Sequence, residues 1–343
     1  MTSPLSRTPA LVPGVLLTAA VGIAASLIAA AEARRFAHPV IEGLVLAILL
    51  GMIVRTLWSP PDAMHAGVAF SAKGVLELAV LLLGASVDLP LLMRAGPSLA
   101  IGIVLLVVIG IAASYGIGRA VGLPHKLAVL VACGNSICGN SAIAAVAPVI
   151  RAEKEHVASA IAFTAILGVG VVLGLPLLMH PLDLSNYQYG VLAGLTVYAV
   201  PQVLAAAFPV SVLSGQVGTL VKLVRVLMLG PVVLFFALKH RNDADAPPQL
   251  AGGMSFTRFV PWFIVGFLAL AVLRSAGTIP PSWIAPTRTL SGWLTVAAMA
   301  ALGLGVDLKA VGRAGRPVVI TVTASLAVLI LLSVTLIRVL GIR

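Results

Sequence analysis

The chain has 343 residues, of which 60% are hydrophobic and only 10% are charged, and its mean hydropathy is +1.12. Soluble domains have about 45–50% apolar and about 25% charged residues, so this composition excludes a soluble enzyme or a nucleic-acid-binding domain. The formal net charge of +11 comes mostly from basic residues that flank apolar segments, as is usual in membrane proteins. That excess slightly favours an anionic solute over a cationic one. The fold class is therefore all-α, with residues 1–343 forming one polytopic membrane domain.

Apolar windows long enough to cross a bilayer predict about eleven transmembrane helices. We expect the first window to be a membrane helix rather than a cleaved signal peptide, because no clear cleavage site follows it. Basic residues are nearly equal in number on the two sides, so they do not decide the orientation. The predicted crossings lie near 11–31, 39–57, 69–88, 97–119, 126–150, 157–179, 187–209, 216–238, 258–276, 286–306 and 316–339.

A tandem repeat of Cys-Gly-Asn-Ser, from Cys133 to Ser141, interrupts the fifth predicted crossing. Gly and Asn are poor helix formers, and polar side chains are costly in hydrocarbon unless they have partners. Irregular backbone at this depth is tolerated only inside protein or beside a water-filled cavity. We therefore expect a broken helix that lines a polar site, although a packing face of small and polar residues is the alternative.

A second half-helix is expected to start near Ala142, with Asn140 or Ser141 as its cap, so that its free N–H groups can hold an anion. The candidate solute-binding residues in this stretch are Asn135, Ser136, Gly139, Asn140 and Ser141.

The two cysteines, Cys133 and Cys138, are spaced i,i+5 and lie on different helix faces, which argues against a disulfide or a zinc site. We expect small buried thiols, no metal and no cofactor. The six histidines fall at helix ends or in loops, and no nucleophile or metalloprotease motif is present. The sequence therefore predicts a protein that is not an enzyme.

Two stretches, Leu83–Gly96 and Leu302–Gly315, share the ungapped frame Leu-Gly-x-x-Val-Asp-Leu-x-x-x-x-Arg-Ala-Gly. They end the third and tenth predicted crossings, which are an odd number of crossings apart and so run in opposite directions. This pattern indicates an inverted repeat, with halves near 39–180 and 187–340. The repeated charges are expected to cap or pair at helix ends; they are Asp88, Arg94, Asp307 and Arg313.

A weaker echo relates residues 141–148 to residues 201–209. By crossing count these two segments would be parallel, so the echo does not fit the same inversion. It nevertheless points to Pro201-Gln202 as a second interruption, since a proline inside a helix removes a backbone hydrogen bond. Gln202 is the candidate that would line the opposite side of the site.

Three charged residues within predicted helices are further candidates for a functional role. Lys222 and Arg225 are spaced i,i+3 and share a helix face, where they would bias the path toward anions; snorkelling at the interface is the alternative. Glu77 is the candidate for coupling to H+ or Na+, unless it only neutralises Lys73 one turn away.

The Gly-Asn-Ser tandem, the Leu-Gly-x-x-Val-Asp-Leu segment at 83–89 and Lys222-Leu-Val-Arg225 together resemble the bacterial sulfate exporter family over residues 11–340. That family is grouped with the bile acid, arsenite and riboflavin transporter superfamily. The resemblance implies an inner-membrane protein of inverted five-helix repeats, with broken helices crossing at the centre and a core that moves as an elevator against a scaffold. The helix at 11–31 is then an additional one, and the second repeat departs from the pattern because it lacks its own tandem.

The sequence thus predicts a secondary transporter for a small anion, sulfate or an organosulfur anion, by alternating access. A sodium- or proton-coupled organic-anion importer is one alternative, and an anion channel or a non-transporting membrane scaffold is another. Membrane lipid is an expected partner and nucleic acid is not. A homodimer, the direction of transport and the coupling ion are left open.

Overall fold

The computed structural model describes residues 8–36, 43–58, 60–87, 90, 96–239, 261–306 and 316–342. Regular secondary structure in these ranges is helical throughout. In chain order the α-helices are α1 (Thr8–Phe36), α2 (Gly43–Leu57), α3 (Asp62–Phe70), α4 (Leu76–Leu83), α5 (Gly96–Ala120), α6 (His125–Ser136), α7 (Asn140–Val146), α8 (Lys154–Gly174), α9 (Asn186–Thr196), α10 (Val200–Ala207), α11 (Val212–Leu227), α12 (Leu229–Lys239), α13 (Trp262–Ser275), α14 (Pro281–Leu304) and α15 (Arg316–Val339).

The chain divides into two compact units, and each unit contains segments from both predicted repeat halves. Unit 1 consists of Met1–Pro90 and Phe263–Ala310, and unit 2 of Leu91–Trp262 and Val311–Arg343. Unit 1 therefore contains α1 to α4 and α14 with almost all of α13, whereas unit 2 contains α5 to α12 and α15.

Six helical segments are long and apolar enough to cross a membrane. They are Leu11–Glu32, Asp62–Ser86, Gly96–Ala120, Lys154–Leu178, Val212–Lys239 and Arg316–Val339. Two shorter apolar helices are α2 and α13. The protein is a multi-pass membrane protein, as its composition predicts.

Unit 1 is held together by helices that approach each other at glycines. A Cβ added to Gly303 in α14 would overlap the carbonyl oxygen of Ile48 in α2, and it would lie 3.0 Å from the Cα of Gly51. Gly14 in α1 and Gly67 in α3 make a second crossing of the same kind. Small residues let helix backbones pack closely where the hydrophobic effect gives no drive toward association.

A π-helical turn, Ser71–Val75, joins α3 to α4. Its first residue is buried, and the Thr18 hydroxyl donates to the Ser71 hydroxyl over 3.0 Å. Glu77, the predicted coupling residue, follows two residues after this turn in α4 and is half-buried. The charged repeat residues lie outside the described ranges; they are Asp88, Arg94, Asp307 and Arg313.

In unit 2, α5 packs antiparallel to both α6 and α15. Residues later in α5 contact residues earlier in α6 and in α15. A Cβ added to Gly110 or Gly118 of α5 would lie 2.8 to 3.3 Å from side-chain atoms of these two helices. Since both neighbours are antiparallel to α5, α6 and α15 run in the same direction. The contacts are Gly110 with Ser136 and with Leu329, and Gly118 with Ala128 and with Thr321.

Helices α6 and α7 form a re-entrant hairpin, which we call the first hairpin (residues 125–151). At its open end the Lys126 ammonium donates to the carbonyl oxygen of Arg151 over 2.8 Å. Near its tip a Cβ on Gly134 would lie 2.9 Å from Cδ1 of Ile143, which requires α7 to fold back on α6. The prediction of a single crossing over 126–150 is therefore wrong, because the segment ends beside the point where it begins.

Helices α9 and α10 form the second hairpin (residues 186–207). The Tyr189 hydroxyl near its start donates to the carbonyl oxygen of Ala206 near its end over 2.8 Å. Seventeen residues of continuous helix would separate these groups by about 25 Å, at 1.5 Å per residue. The predicted crossing over 187–209 is thus also a hairpin, with its interruption just before Pro201 as expected.

The two hairpins begin at opposite ends of α15. The first begins near Ala128. A Cβ on Gly118 would contact both Ala128 and Thr321, and Thr321 lies close to the start of α15. The second begins near Gln188, whose side-chain amide donates to the carbonyl oxygen of Ile342, just beyond the end of α15. Consequently α7 and α10 run in opposite directions. The expectation that segments 141–148 and 201–209 are parallel is wrong, because it assumed that each segment crosses fully.

Candidate functional site

The tips of the two hairpins meet inside unit 2. The first tip comprises residues 137–139 and the second tip residues 197–199. Gly139 has φ +65° and ψ −126°, a conformation that residues with a side chain rarely adopt. A Cβ on Gly139 would also lie 3.4 Å from Cβ of Tyr198. Glycine therefore allows both the tight turn and the close approach of the second tip.

Helix α11 runs parallel to α9 and reaches both tips. Gly190 and Gly194 allow this approach, since their would-be Cβ atoms lie 2.7 Å from the carbonyl oxygen of Ser214 and 2.6 Å from that of Gly218, respectively. The next turns of α11 then place Lys222 beside the tips. Small residues one turn apart thus position the predicted basic pair.

Lys222 is fully buried and joins the two tips. Its ammonium donates to the carbonyl oxygen of Ile137 in the first tip and, over 2.8 Å, to that of Val197 in the second. The last carbonyls of a helix have no intrahelical donors, so a cation there satisfies hydrogen bonds and offsets the negative end of the helix dipole.

Arg225 is also fully buried and binds the ends of α6 and α9. Its Nε donates to the carbonyl oxygen of Ser136 over 3.2 Å, and its Nη2 donates to that of Asn135 over 3.2 Å. Its Nη1 donates to Gly194 and Val197 over 2.9 and 3.3 Å. The basic pair therefore does not line an open path, contrary to the prediction, and snorkelling is ruled out as well.

No carboxylate balances this pair among the described residues of unit 2. The acidic residues described there are Glu153, Glu155 and Asp183, and all three are exposed. An arginine guanidinium remains charged in proteins, and a buried charge without a partner is costly. Within the described part of unit 2, the meeting point of the tips thus holds two buried basic side chains and no buried acidic one.

The half-helices that start at the tips present a different set of groups. Asn140 and Ser141, the first two residues of α7, are exposed, and Gln202 lies in the first turn of α10. Gly139, rather than Asn140 or Ser141, occupies the capping position, so α7 begins two residues before the predicted Ala142. The polar side chains are consequently free of a capping role.

Helix α8 packs against both of these polar groups. The Thr164 hydroxyl donates to Oδ1 of Asn140 over 2.5 Å. One turn further along α8, a Cβ on Gly168 would overlap the side-chain amide of Gln202. The structure thus brings Asn140 and Gln202 to the same helix.

The two copies of the tandem differ in their surroundings. Asn135 and Ser136 in the first copy are fully buried, and their side-chain polar atoms have no partner among the described residues. Asn140 and Ser141 in the second copy are exposed. Cys133 and Cys138 are free, buried thiols, which confirms that prediction. The first copy belongs to the interior of unit 2, and only the second presents side chains at its surface.

The family model described as conserved hypothetical protein 698 matches residues 13–322. The chain belongs to this family. A UPF0324 membrane protein of Bradyrhizobium diazoefficiens is 53% identical over 335 residues, which cover 97% of this chain and 94% of the relative. A UPF0324 membrane protein of Brucella melitensis is 54% identical over 338 residues, covering 98% and 93%. One of Bacillus cereus is 34% identical over 299 residues, covering 86% and 87%. No solved structure matches the chain. These names support a membrane protein and state no solute.

Sequence reasoning missed three residues at the site of this UPF0324 family member. Thr164 and Gly168 lie in an apolar helix with no local motif, and Tyr198 lies three residues before Pro201, where the interruption was predicted. The i,i+4 spacing of Thr164 and Gly168 was the available signal, but it becomes meaningful only when α8 is known to pass both tips.

Proposed function

We propose that the protein is a secondary transporter that moves a small anion, sulfate or an organosulfur anion, and that unit 2 carries the solute. The observation that carries this proposal is the buried pair Lys222 and Arg225, which holds two hairpin tips together without a buried carboxylate among the described residues of unit 2. A positive centre at the meeting point of two re-entrant segments favours an anion as the solute.

The charge balance supports this sign. Each helix C-terminus contributes about −0.5 of an elementary charge, so the ends of α6 and α9 offset about one of the two positive charges. The remaining positive charge attracts an anion more strongly inside the protein than it would in bulk water, because the effective dielectric constant there is lower.

In this proposal the solute contacts Asn140, Ser141 and Gln202, which present polar groups at the starts of α7 and α10. Lys222 and Arg225 act through the tips rather than by direct contact, because backbone carbonyls already accept their hydrogen bonds. Asn135, Ser136 and Gly139 shape the first tip from within.

The directions of the helices in unit 2 suit an inverted repeat. Helix α5 is antiparallel to α15, and the two hairpins begin at opposite ends of α15. The helix after each hairpin, α8 or α11, runs parallel to the first helix of that hairpin. If hairpins return to the side from which they start, the chain makes about nine crossings rather than eleven. The weak echo between 141–148 and 201–209 then fits the same inversion as the frame at 83–96 and 302–315. Two hairpins that start from opposite sides provide the two routes that alternating access requires.

A division into two compact units is compatible with an elevator mechanism, in which one unit carries the solute relative to the other. Glu77 in unit 1 is the candidate for coupling to H+ or Na+, since an ionisable residue inside a membrane helix is a functional candidate by default. The resemblance to the bacterial sulfate exporter family supports sulfate as the first solute to test.

The test is counterflow of radiolabelled sulfate in proteoliposomes. Saturable uptake that is accelerated by internal sulfate supports a carrier, whereas linear, non-saturating flux indicates a channel and no flux indicates a scaffold or another solute. A sodium requirement would instead favour the cation-coupled organic-anion importer. The double variant Asn140→Ala, Ser141→Ala should abolish counterflow while the protein remains folded. Retained transport would place the solute elsewhere.

A further inference from the structure

Helix α8 contacts the polar side chain at the start of each half-helix. Thr164 binds Asn140 of the first hairpin, and Gly168 packs against Gln202 of the second. Among the residues described in unit 2, these contacts place one amide from each hairpin on the same helix, four positions apart. The spacing of the two amides is thus set by α8 as well as by the tips.

The Thr164 contact fixes the orientation of the Asn140 amide. The Thr164 oxygen also lies 3.2 Å and 3.0 Å from the carbonyl oxygens of Ala160 and Ile161, but its 2.5 Å distance to Asn140 Oδ1 is the shortest of the three. A hydroxyl has one proton to donate, and Oδ1 receives it here. The NH₂ group of Asn140 is therefore left as a donor on an exposed residue.

The orientation of the Gln202 amide follows from its backbone partner. The N–H of Ala199 donates to Oε1 of Gln202 over 3.1 Å, and a backbone N–H can only donate. The Gln202 oxygen is thus occupied, and its NH₂ group is the free end beside Gly168. In both amides the oxygen is thus the occupied end, and the NH₂ group is the end left to donate.

We propose that Thr164 and Gly168 are positioning residues that hold the amides of Asn140 and Gln202 so that both donate to a single oxyanion group of the solute. Thr164 and Gly168 are four residues apart, about 6 Å along the helix axis at 1.5 Å per residue. Amide donors held by two residues that lie this close on one helix can each donate to a different oxygen of one sulfate, sulfonate or phosphate group. This inference rests on the proposed function and names the chemical group that the same site recognises.

Gly168 matters because its missing side chain leaves room for the Gln202 amide. The three heavy atoms nearest to an added methyl group all belong to the flexible end of Gln202, so the fold should tolerate Gly168→Ala while the amide is displaced. Gly170 lies on the same helix, and a Cβ there would have no heavy atom within 4 Å, which makes Gly170→Ala the matched control.

The experiment is calorimetric titration of the purified full-length protein with sulfate and with methanesulfonate. Hydrogen bonds to charged groups are the stronger ones, so Thr164→Val and Gly168→Ala should each weaken binding about tenfold to a hundredfold. Thr164→Ser keeps the hydroxyl and should restore affinity to within about threefold of the wild type, as should Gly170→Ala. The unfolding temperature of each unliganded variant should stay close to that of the wild type, which excludes a purely structural effect.

The outcomes separate the two proposals. If neither anion binds the wild type, the proposed function fails. If both bind the wild type but Thr164→Val and Gly168→Ala bind equally well, only the positioning role is wrong. If Thr164→Ser fails to rescue binding although it is as stable as the wild type, the hydroxyl is not the positioning group.

Discussion

Lys126 and Arg151 are 25 residues apart in the chain, yet the ammonium of Lys126 donates to the carbonyl oxygen of Arg151 over 2.8 Å. A helix that crossed the membrane between them would separate its ends by about 30 Å or more. The contact therefore requires the chain to turn back at the Gly-Asn-Ser tandem. It converts what looks like one interrupted crossing into a hairpin that returns to its starting side.

This topology predicts the labelling of single cysteines from one side of the membrane. His125→Cys and Glu153→Cys flank the first hairpin and should react with an impermeant maleimide from the same side, because the hairpin does not cross. Asn186→Cys and Val212→Cys flank the second hairpin and should both react from the opposite side. All four positions are exposed, whereas the native cysteines are buried.

Uniformly oriented vesicles and a permeant maleimide give the matched controls for that measurement. Reaction of His125→Cys and Glu153→Cys from opposite sides would contradict the hairpin and restore a full crossing. Reaction of all four cysteines from one side would contradict the opposed arrangement of the two hairpins.

Arg225→Met should destabilise unit 2 strongly. The change removes the donors to the carbonyls of Asn135, Ser136 and Gly194, and each buried acceptor left unpaired costs about 1–3 kcal/mol. We expect a loss of about 3–5 kcal/mol in the free energy of unfolding, measured by denaturant titration in detergent. Arg119→Met removes a single bond to Leu123 from an exposed side chain and should cost less than about 1 kcal/mol. Equal losses in the two variants would show that Arg225 does not hold the tips.

Asn140→Asp tests the sign of the solute. The substitution keeps the shape of the side chain but replaces its donor with a negative charge, so sulfate affinity should fall at least about tenfold through repulsion at short distance. Asn186→Asp adds the same charge to an exposed residue at the outer end of α9 and should leave affinity unchanged. Binding of a monovalent cation that appears or strengthens in Asn140→Asp, with no loss for sulfate, would contradict an anion site at this position.

Gly303→Ala tests the close packing of unit 1. The new methyl group would overlap the backbone of Ile48, which cannot rotate away, so we expect a loss of about 2 kcal/mol or more. Gly292→Ala lies on the same helix with no heavy atom within 4 Å of the added Cβ, and it should be neutral or slightly stabilising. Thermal unfolding in detergent compares the two variants directly, and similar unfolding temperatures would show that the α2–α14 crossing tolerates a side chain.

Most of the helical architecture could be predicted from the sequence. The windows at 11–31, 97–119 and 316–339 correspond to α1, α5 and α15, because long apolar runs leave the backbone no alternative to helix in hydrocarbon. The interruptions at 133–141 and before Pro201 were also predictable, since Gly, Asn and Pro are unfavourable inside helices. The roles of Lys222 and Arg225 were not, because charge alone does not distinguish a residue that faces a path from one that binds backbone carbonyls.

The amino-acid sequence by itself determined that this is an all-helical membrane protein and that its polar residues are concentrated where two helices break. Composition and hydropathy are properties of each residue and its neighbours along the chain, so the helices and their interruptions can be predicted from the sequence alone. Only the tertiary structure decided that both broken segments turn back, that they do so from opposite ends of α15, and that Lys222 joins Ile137 to Val197. Whether the chain goes straight on or turns back after a helix break depends on the helices that pack against the break. For the tandem at 133–141 these are α5, α8 and α11, which lie elsewhere in the sequence.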